Sequence, residues 1–469
     1  MSVPDALNAA PFRTPQEICR DFDRASRLEW LDTNHTGAYA MGTVAGVNTR
    51  RYHALLIASL NPPIDQYSIL SRVEEQVILN STTFELATVQ YPSAVQPHGF
   101  DLLEEFRLGP FPTWRYQLAS SAIDKTVCLL DKQQTVLVRY QTTHACRLFV
   151  RFFLSFRDYH SLTQQNSALK NDIKEEQRRV IFAPYESLPA LTVFHSTGEF
   201  TRDGIWFLEH EYLRELDRGL DFREDLFSPG SISLELSPEQ PAWFIATLEP
   251  DRFAAPLGHP EIELILAEEA SRRYFKAPTP LASTLNRALD QFRVVHSNGL
   301  PSLIAGYPWF TDWSRDTLIS LPALSIAGVW ADESKNILTM LLRERSHGLV
   351  PNRLSDRNSK AEYNTADATL WLFIAAHDYL KRTKDWEFLH GLLYPAALDI
   401  LAWHQRGTDY DIHVDPVDHL LSCGTSHTQL TWMDAKIGDL PVTPRAGKPV
   451  EINALWYNAL RITAQWAER

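Results

Sequence analysis

The stretch AGYPWFTDWSRD, running from Ala305 to Asp316, sets three large aromatics (Tyr307, Trp309, Trp313) among three charged groups (Asp312, Arg315, Asp316). Gly306 and Pro308 mark a loop, and beyond Ser314 apolar residues recur at helical spacing. Ser314 is a candidate N-cap, which puts Asp316 in the first turn, where the helix dipole favours negative charge. Flat apolar faces beside paired hydrogen-bonding groups are what a sugar demands. Its C–H faces lie on aromatic rings while its hydroxyls take bonds from Arg and Asp. A buried Trp cluster beside a structural Arg–Asp pair accounts for the same residues equally well.

Two further clusters have the same character. GLVPNRL carries Asn352 and Arg353, and EYNTADATLW carries Tyr363, Asn364 and Asp367 at the mouth of another helical pattern. Asn364 or Thr365 as a helix cap explains part of that second pattern. LTWMDAK, from Leu430 to Lys436, flanks Asp434 with Trp432 and Met433. A partly apolar setting of that kind suits a carboxyl to proton donation, which Lys436 would oppose. For Asp434 the simpler reading is a capping or ion-paired loop residue. Glu451 and Asn453 open the next helix as caps or hydroxyl ligands.

Other constellations carry less. Asp409, Asp411, Asp415 and Asp418 crowd one loop without the Gly and Glu of an EF-hand, so a solvated loop is expected there. The sequence contains no HExxH, GxSxG, P-loop or GxGxxG pattern, which leaves zinc, serine-nucleophile and nucleotide chemistry without a foothold. Neither a metal nor a cofactor is expected. Further upstream, Gly37, Gly42 and Gly46 are spaced for turns in a sheet, with Arg50, Arg51 and His53 read as partners of local carboxylates.

The elements that must carry these clusters change character along the chain. Residues 1–27 read as a lead-in with one short helix over 14–25. From 28 to about 255 the pattern is of short strands rich in β-branched and aromatic residues, TVLVRY at 135–140 and RLFVRFFL at 147–154 among them. Many such strands without intervening helices predict a large antiparallel sandwich. A linker helix over 261–275 within 256–280 follows, then the break APTP. Helical patterns are predicted over 281–295, 315–330, 333–347, 365–381, 386–405 and 451–468. An all-helical array over 281–469, with its polar and aromatic residues gathered in loops at one end, is the architecture they imply.

Bulk properties narrow the partners. The chain has 469 residues, 44% of them hydrophobic and 22% charged, and a formal charge of −13. That length predicts two or more domains. That charge argues against nucleic acid or an anionic membrane as partner. The four cysteines are widely separated, no apolar run approaches membrane-spanning length, and no signal peptide is apparent, so a cytoplasmic protein is expected. Nothing in the sequence fixes an oligomeric state.

The stretches EWLDTNHTGAYAMGTVAGVNTRRYHALL, AGYPWFTDWSRDTLISLPAL, GLVPNRL, EYNTADATLW and LTWMDAKIGDLPVTPRAGKPVEINALWYNAL, in that order, resemble the bacterial and archaeal glycogen debranching enzyme family, whose helical domain is an amylo-α-1,6-glucosidase. The resemblance implies an N-terminal antiparallel β-sandwich followed by an (α/α)6 barrel, here incomplete, since about six of twelve helices are legible. It implies an α-glucan substrate such as glycogen or limit dextrin, with Asp434 as the general acid of an inverting hydrolysis. Arg315 and Asp316 would hold the terminal glucose, Trp309 and Trp313 would line it, and Tyr363, Asn364 and Asp367 would complete the pocket. Asp312, Asn352, Arg353, Trp432 and Lys436 are further candidate binding residues. The general base would lie beyond Arg469, and helix faces left without neighbours would be exposed. A non-catalytic glucan-binding protein, or a subunit completed by a second chain, are the alternatives.

Overall fold

The computed structural model describes residues 12–253, 257–327, 330–354 and 360–469. They form two compact units, Met1–Gln291 and Phe292–Arg469. Position 256 and positions 328–329, at the ends of two expected segments, lie outside the described residues, as do 1–11 of the lead-in.

The first unit is built on two antiparallel sheets of nine and eight strands. Thr135–Thr142 sits in the middle of the larger sheet, paired with Ser121–Leu129 on one side and Ala242–Thr247 on the other. Cys146–Asp158 is central in the smaller one, between Ile64–Leu79 and Arg223–Leu236. The sheets face each other through side chains from these strands and from Glu29–Thr33 and Pro112–Leu118. Phe152 meets Phe244 edge-on at 5.3 Å, and Trp30 meets Trp114 at 5.2 Å. Tyr140 also donates across the gap to Glu75 at 2.8 Å. Val136, Val138, Leu148 and Val150 fill the space between, all fully buried. This is the predicted antiparallel sandwich, and its alternating β-branched and aromatic residues are the ones that face inward.

The lead-in contributes to the larger sheet, since Phe12–Pro15 pairs with Leu103–Leu108 at its edge. Instead of one helix over 14–25 there are two single turns, Gln16–Cys19 and Phe22–Ala25. Asp21 interrupts them because its carboxylate caps the second turn, accepting from Arg24 N at 3.1 Å. At Gly37 the turn needs glycine outright. Its φ is +81°, and a Cβ there would lie 2.4 Å from the Pro63 carbonyl oxygen.

Helix α1 (His259–Arg272) is the expected linker helix. Ile262, Leu266 and Ala270, at i, i+4 and i+8, bury one stripe against Phe111, Leu137, Trp243 and Ile245 on the outer face of the larger sheet. Helix α2 (Pro280–Asp290) follows within the same unit. The sequence pattern extended this helix to 295, but it ends at Asp290. Arg293–Val295, with its two valines, instead pairs with Pro301–Leu303 in a short antiparallel ribbon.

The second unit is helical. Its main elements are α3 (Ser314–Ala327), α4 (Ala331–Arg343), α5 (Ala368–Thr383), α6 (Tyr394–Arg406) and α7 (Val450–Ala467). Helix α5 is central and packs against α3, α4 and α7. Phe373 of α5 stacks on Trp466 of α7 with ring centroids 6.1 Å apart. The pattern over 386–405 is not one regular helix, because a wide turn at Leu389–Leu393 precedes α6. Pro395 explains it: lacking an N–H and crowding the carbonyl four residues back, it loosens the preceding turn. The protein is thus an N-terminal antiparallel β-sandwich followed by a helical unit, and the partial (α/α)6 barrel of the sequence reading corresponds to these helices. Among the described residues no helix is long and apolar enough to cross a membrane.

Candidate active site

Arg315 organises the site. It lies in the first turn of α3, whose start is tied to the second cluster by a backbone bond from Ser314 N to Asn352 O at 3.0 Å. The Nε of Arg315 reaches both carboxylate oxygens of Asp367, at 2.9 and 2.8 Å. Nη1 donates to Asp434 Oδ2 at 2.8 Å, and Nη2 to the Thr431 carbonyl at 3.0 Å. One guanidinium therefore joins all three sequence clusters, using the planar fork of donors that lysine lacks.

Each partner is held locally. Asp367 precedes α5 and accepts from the Thr365 hydroxyl at 2.8 Å, while Thr365 Oγ1 accepts from Ala368 N at 3.3 Å. The helix cap is Asp367 itself, and Thr365, an expected cap, instead accepts from the first N–H of the helix while supporting the carboxylate. Ala366 N donates to Leu430 O at 2.8 Å, which fastens the 430–434 loop beside the start of α5. The side chains of Arg315 and Asp367 are 10% and 4% exposed, whereas that of Asp434 is 41% exposed. Asp434 Oδ1 makes no hydrogen bond among the described residues, so one oxygen is pinned and the other faces solvent.

The electrostatics follow from this packing. Burial opposes the charge of Arg315, but Asp367 and Asp434 outweigh it and raise the pKa of the guanidinium. Asp316, half-buried on the same turn, has its carboxyl raised, chiefly by burial, with repulsion from Asp434 and Asp367 adding to it and Arg315 opposing. Asp312 goes the other way. Its burial is outweighed by hydrogen bonds from His296 and Ser302, and its pKa is lowered.

The other expected residues are placed as follows. Asp312 is buried, and its Oδ2 lies 2.8 Å from His296 Nε2, so this carboxylate ties the aromatic loop to the ribbon beneath it. Trp309 and Trp313 are half-buried, and Trp309 meets the exposed Phe310 edge-on at 6.3 Å. Asn352 is buried, with its Nδ2 3.4 Å from Asn364 Oδ1, and Arg353 is bridged through its backbone to Glu362. Tyr363 spends its hydroxyl on the Glu344 carbonyl at 2.7 Å. Trp432 is exposed, as is Lys436, which lies in a two-residue strand paired with Leu440–Pro441. Asn453 bonds the backbone of Leu421 on both sides, and Glu451 pairs with Arg445.

Two participants had no sequence signal of their own, and a third was read only in part. The Thr431 contact is through a carbonyl, which any residue carries, and His296 stands alone in the sequence. Thr365 was read as a cap and not as a support for Asp367. Among the described residues no group of three or more His, Cys, Asp or Glu side chains is placed to hold a metal ion.

Comparison with known proteins gives the following. Residues 28–242 match the family model described as glycogen debranching enzyme N terminal, and residues 287–469 match the one described as amylo-alpha-1,6-glucosidase. The glycogen debranching enzyme of Saccharomyces cerevisiae is 26% identical over 231 residues, covering 37% of this chain and 15% of that protein. The chain therefore spans a small part of the length of that relative. Among solved structures, a bacterial glucoamylase complexed with acarbose is 10% identical with a TM-score of 0.42, covering 81% of this chain and 57% of the other. A putative kojibiose phosphorylase from the human microbiome is also 10% identical, with a TM-score of 0.44 and coverage of 98% and 66%. With two consecutive models of one family matched in order along the sandwich and the helical unit, this chain belongs to the glycogen debranching enzyme family.

Proposed function

We propose that this chain acts on α-glucans and releases glucose from α-1,6 branch points of glycogen or limit dextrin, with Asp434 as general acid. The observation that carries the reading is the state of Asp434: Arg315 fixes one oxygen at 2.8 Å, and the side chain remains 41% exposed, open to a bound ligand. In the proposed reaction the bond between the anomeric carbon and the glycosidic oxygen breaks. Asp434 delivers its proton to that departing oxygen, and water adds at the anomeric carbon from the opposite face. An inverting hydrolase of this kind loses the water's proton to a second carboxylate, roughly 6.5–9.5 Å from the first. Arg315 keeps Asp434 aimed at the bond and has N–H donors to spare for a sugar hydroxyl. Trp309 and Trp313 supply apolar faces for the ring, and Asp316 and Asn364 supply polar groups at its edge.

The experiment is Asp434→Asn, which keeps the size and the hydrogen bond to Arg315 but carries no acidic proton. Glucose release from limit dextrin should fall by about 10²–10⁴-fold, the usual worth of a positioned acid. Maltodextrin binding by titration calorimetry and the circular dichroism spectrum should not change. Hydrolysis at the wild-type rate in this variant removes Asp434 from the mechanism. Glucan binding by the wild-type chain without any glucose release would replace the hydrolase with a glucan-binding protein.

A further inference from the structure

The first unit contains a cavity of about 380 Å³ between the end of α1, the connection 273–279, the start of α2 and Pro110. That volume falls within the range of small-molecule sites, roughly 300–1,000 Å³. Part of its wall is apolar, from Pro110, Phe275, Ala277 and Pro278, yet two guanidiniums also line it, Arg273 and Arg287.

The two cations are differently provided for. Arg273 is 6% exposed and gives Nη2 to the Leu129 carbonyl at 2.6 Å and to Asp32 at 3.2 Å. Its Nη1 is buried and has no hydrogen-bond partner among the described residues. Arg287 has no carboxylate within ion-pair distance among the described residues, and its hydrogen bond goes from Nη2 to the Pro110 carbonyl. Burial, helped by the neighbouring charges of Arg273 and Arg272 and opposed by those of Asp32 and Asp290, pushes its guanidinium down to about 10. Arg287 is half-buried and makes no direct ion pair among the described residues, while the buried Nη1 of Arg273 lacks an acceptor, so a bound anion would satisfy both. The start of α2 opens on the same space. Thr279 caps it, accepting from Ala282 N at 3.1 Å, so the positive end of the helix dipole adds to the two arginines.

We propose that this cavity binds a small organic anion, a single carboxylate or phosphate between Arg287 and Arg273 with a compact apolar body against Phe275, Ala277 and Pro278. The site belongs to the first unit, the Arg315 cluster to the second, and the proposal does not depend on the glucosidase reading. Titration calorimetry on the full chain tests it with three probes: benzoate, inorganic phosphate and the neutral benzyl alcohol. Benzoate should bind saturably at one site, weaken as salt is raised, and bind at least tenfold more weakly to Arg287→Met. Benzyl alcohol should not bind measurably. Displacement of benzoate by phosphate assigns the site to phosphate-bearing ligands, and its failure assigns it to carboxylates. Ala277→Trp fills the cavity while leaving both arginines in place, so it serves if Arg287→Met does not fold, and it too should abolish binding. Unaltered benzoate affinity in either folded variant, equal binding of the neutral alcohol, or no saturable binding of benzoate overturns the proposal.

Discussion

Arg315 is where the chemistry of the second unit is decided, because three nitrogens of one side chain hold Asp367, Asp434 and Thr431 at once. Replacing it with methionine keeps the volume and leaves Asp367, 4% exposed, as a buried charge with no cationic partner. Breaking a buried pair from one side costs about 3–5 kcal/mol. Urea unfolding followed by tryptophan fluorescence should show a loss of that order for Arg315→Met. Arg315→Lys should lose less, since it keeps the charge, but it cannot reach two carboxylates and a carbonyl together. A stability unchanged by the methionine variant would mean that the pair contributes nothing. The three sequence clusters were legible as polar residues at helix mouths, one by one. Their meeting in one pocket was expected chiefly from the family resemblance, because Arg315 lies 52 residues from Asp367 and 119 from Asp434, and no spacing rule spans a loop-rich stretch. Asp312 is the converse case. Its position in the aromatic loop suggested a ligand contact, while the His296 that occupies it comes from a ribbon the helical pattern had concealed.

At the scale of elements, patterning gave the sandwich strands and most helices, since inward-facing apolar residues recur at period two in the former and at three to four in the latter. It failed where a single residue overrides a run: Asp21 capping a second turn, Pro395 opening a wide turn, and the ribbon at 293–303 cutting short a helical pattern. Helix α2 is held to the sandwich in part by His35, whose Nδ1 lies 2.7 Å from Asp131 and Nε2 3.0 Å from Asp290. Burial works against protonation of this imidazole, but the two carboxylates outweigh it and its pKa is raised above the usual 6.5. A raised folded pKa means the pairing stabilises fully below about pH 6.5 and is lost as pH climbs through the folded value. His35→Asn tests this, since asparagine tolerates the positive φ of 63° but cannot carry the charge. The stability gap between wild type and variant should be larger at pH 6 than at pH 9. A gap that is flat with pH would show that the imidazole does not titrate with folding.

At the scale of the whole molecule, helices of the second unit leave apolar side chains exposed on the faces opposite their buried ones. Helix α7 buries Ile452, Leu455, Trp456, Ala459, Ile462 and Trp466, yet its other side leaves Val450, Tyr457 and Leu460 exposed at 81%, 65% and 38%. Helix α3 does the same with Ile319 and Ile326, 46% and 66% exposed and seven residues apart on one stripe. Helices apolar on both sides are normally covered on both sides, and each such side chain stabilises a contact by about 1.5–3 kcal/mol when fully buried. Contiguous apolar surface of this kind marks an interaction face or an aggregation liability. The chain should therefore bind a hydrophobic dye while folded and self-associate at rising concentration, as read by light scattering. Charging the stripes with Ile326→Glu and Tyr457→Glu should suppress both effects and shift the unfolding midpoint little, because neither side chain is packed. Dye binding and scattering that persist in the double variant would place the sticky surface elsewhere. A wild-type chain that stays monomeric and dye-silent would mean that these stripes are too small or too broken to act as one face.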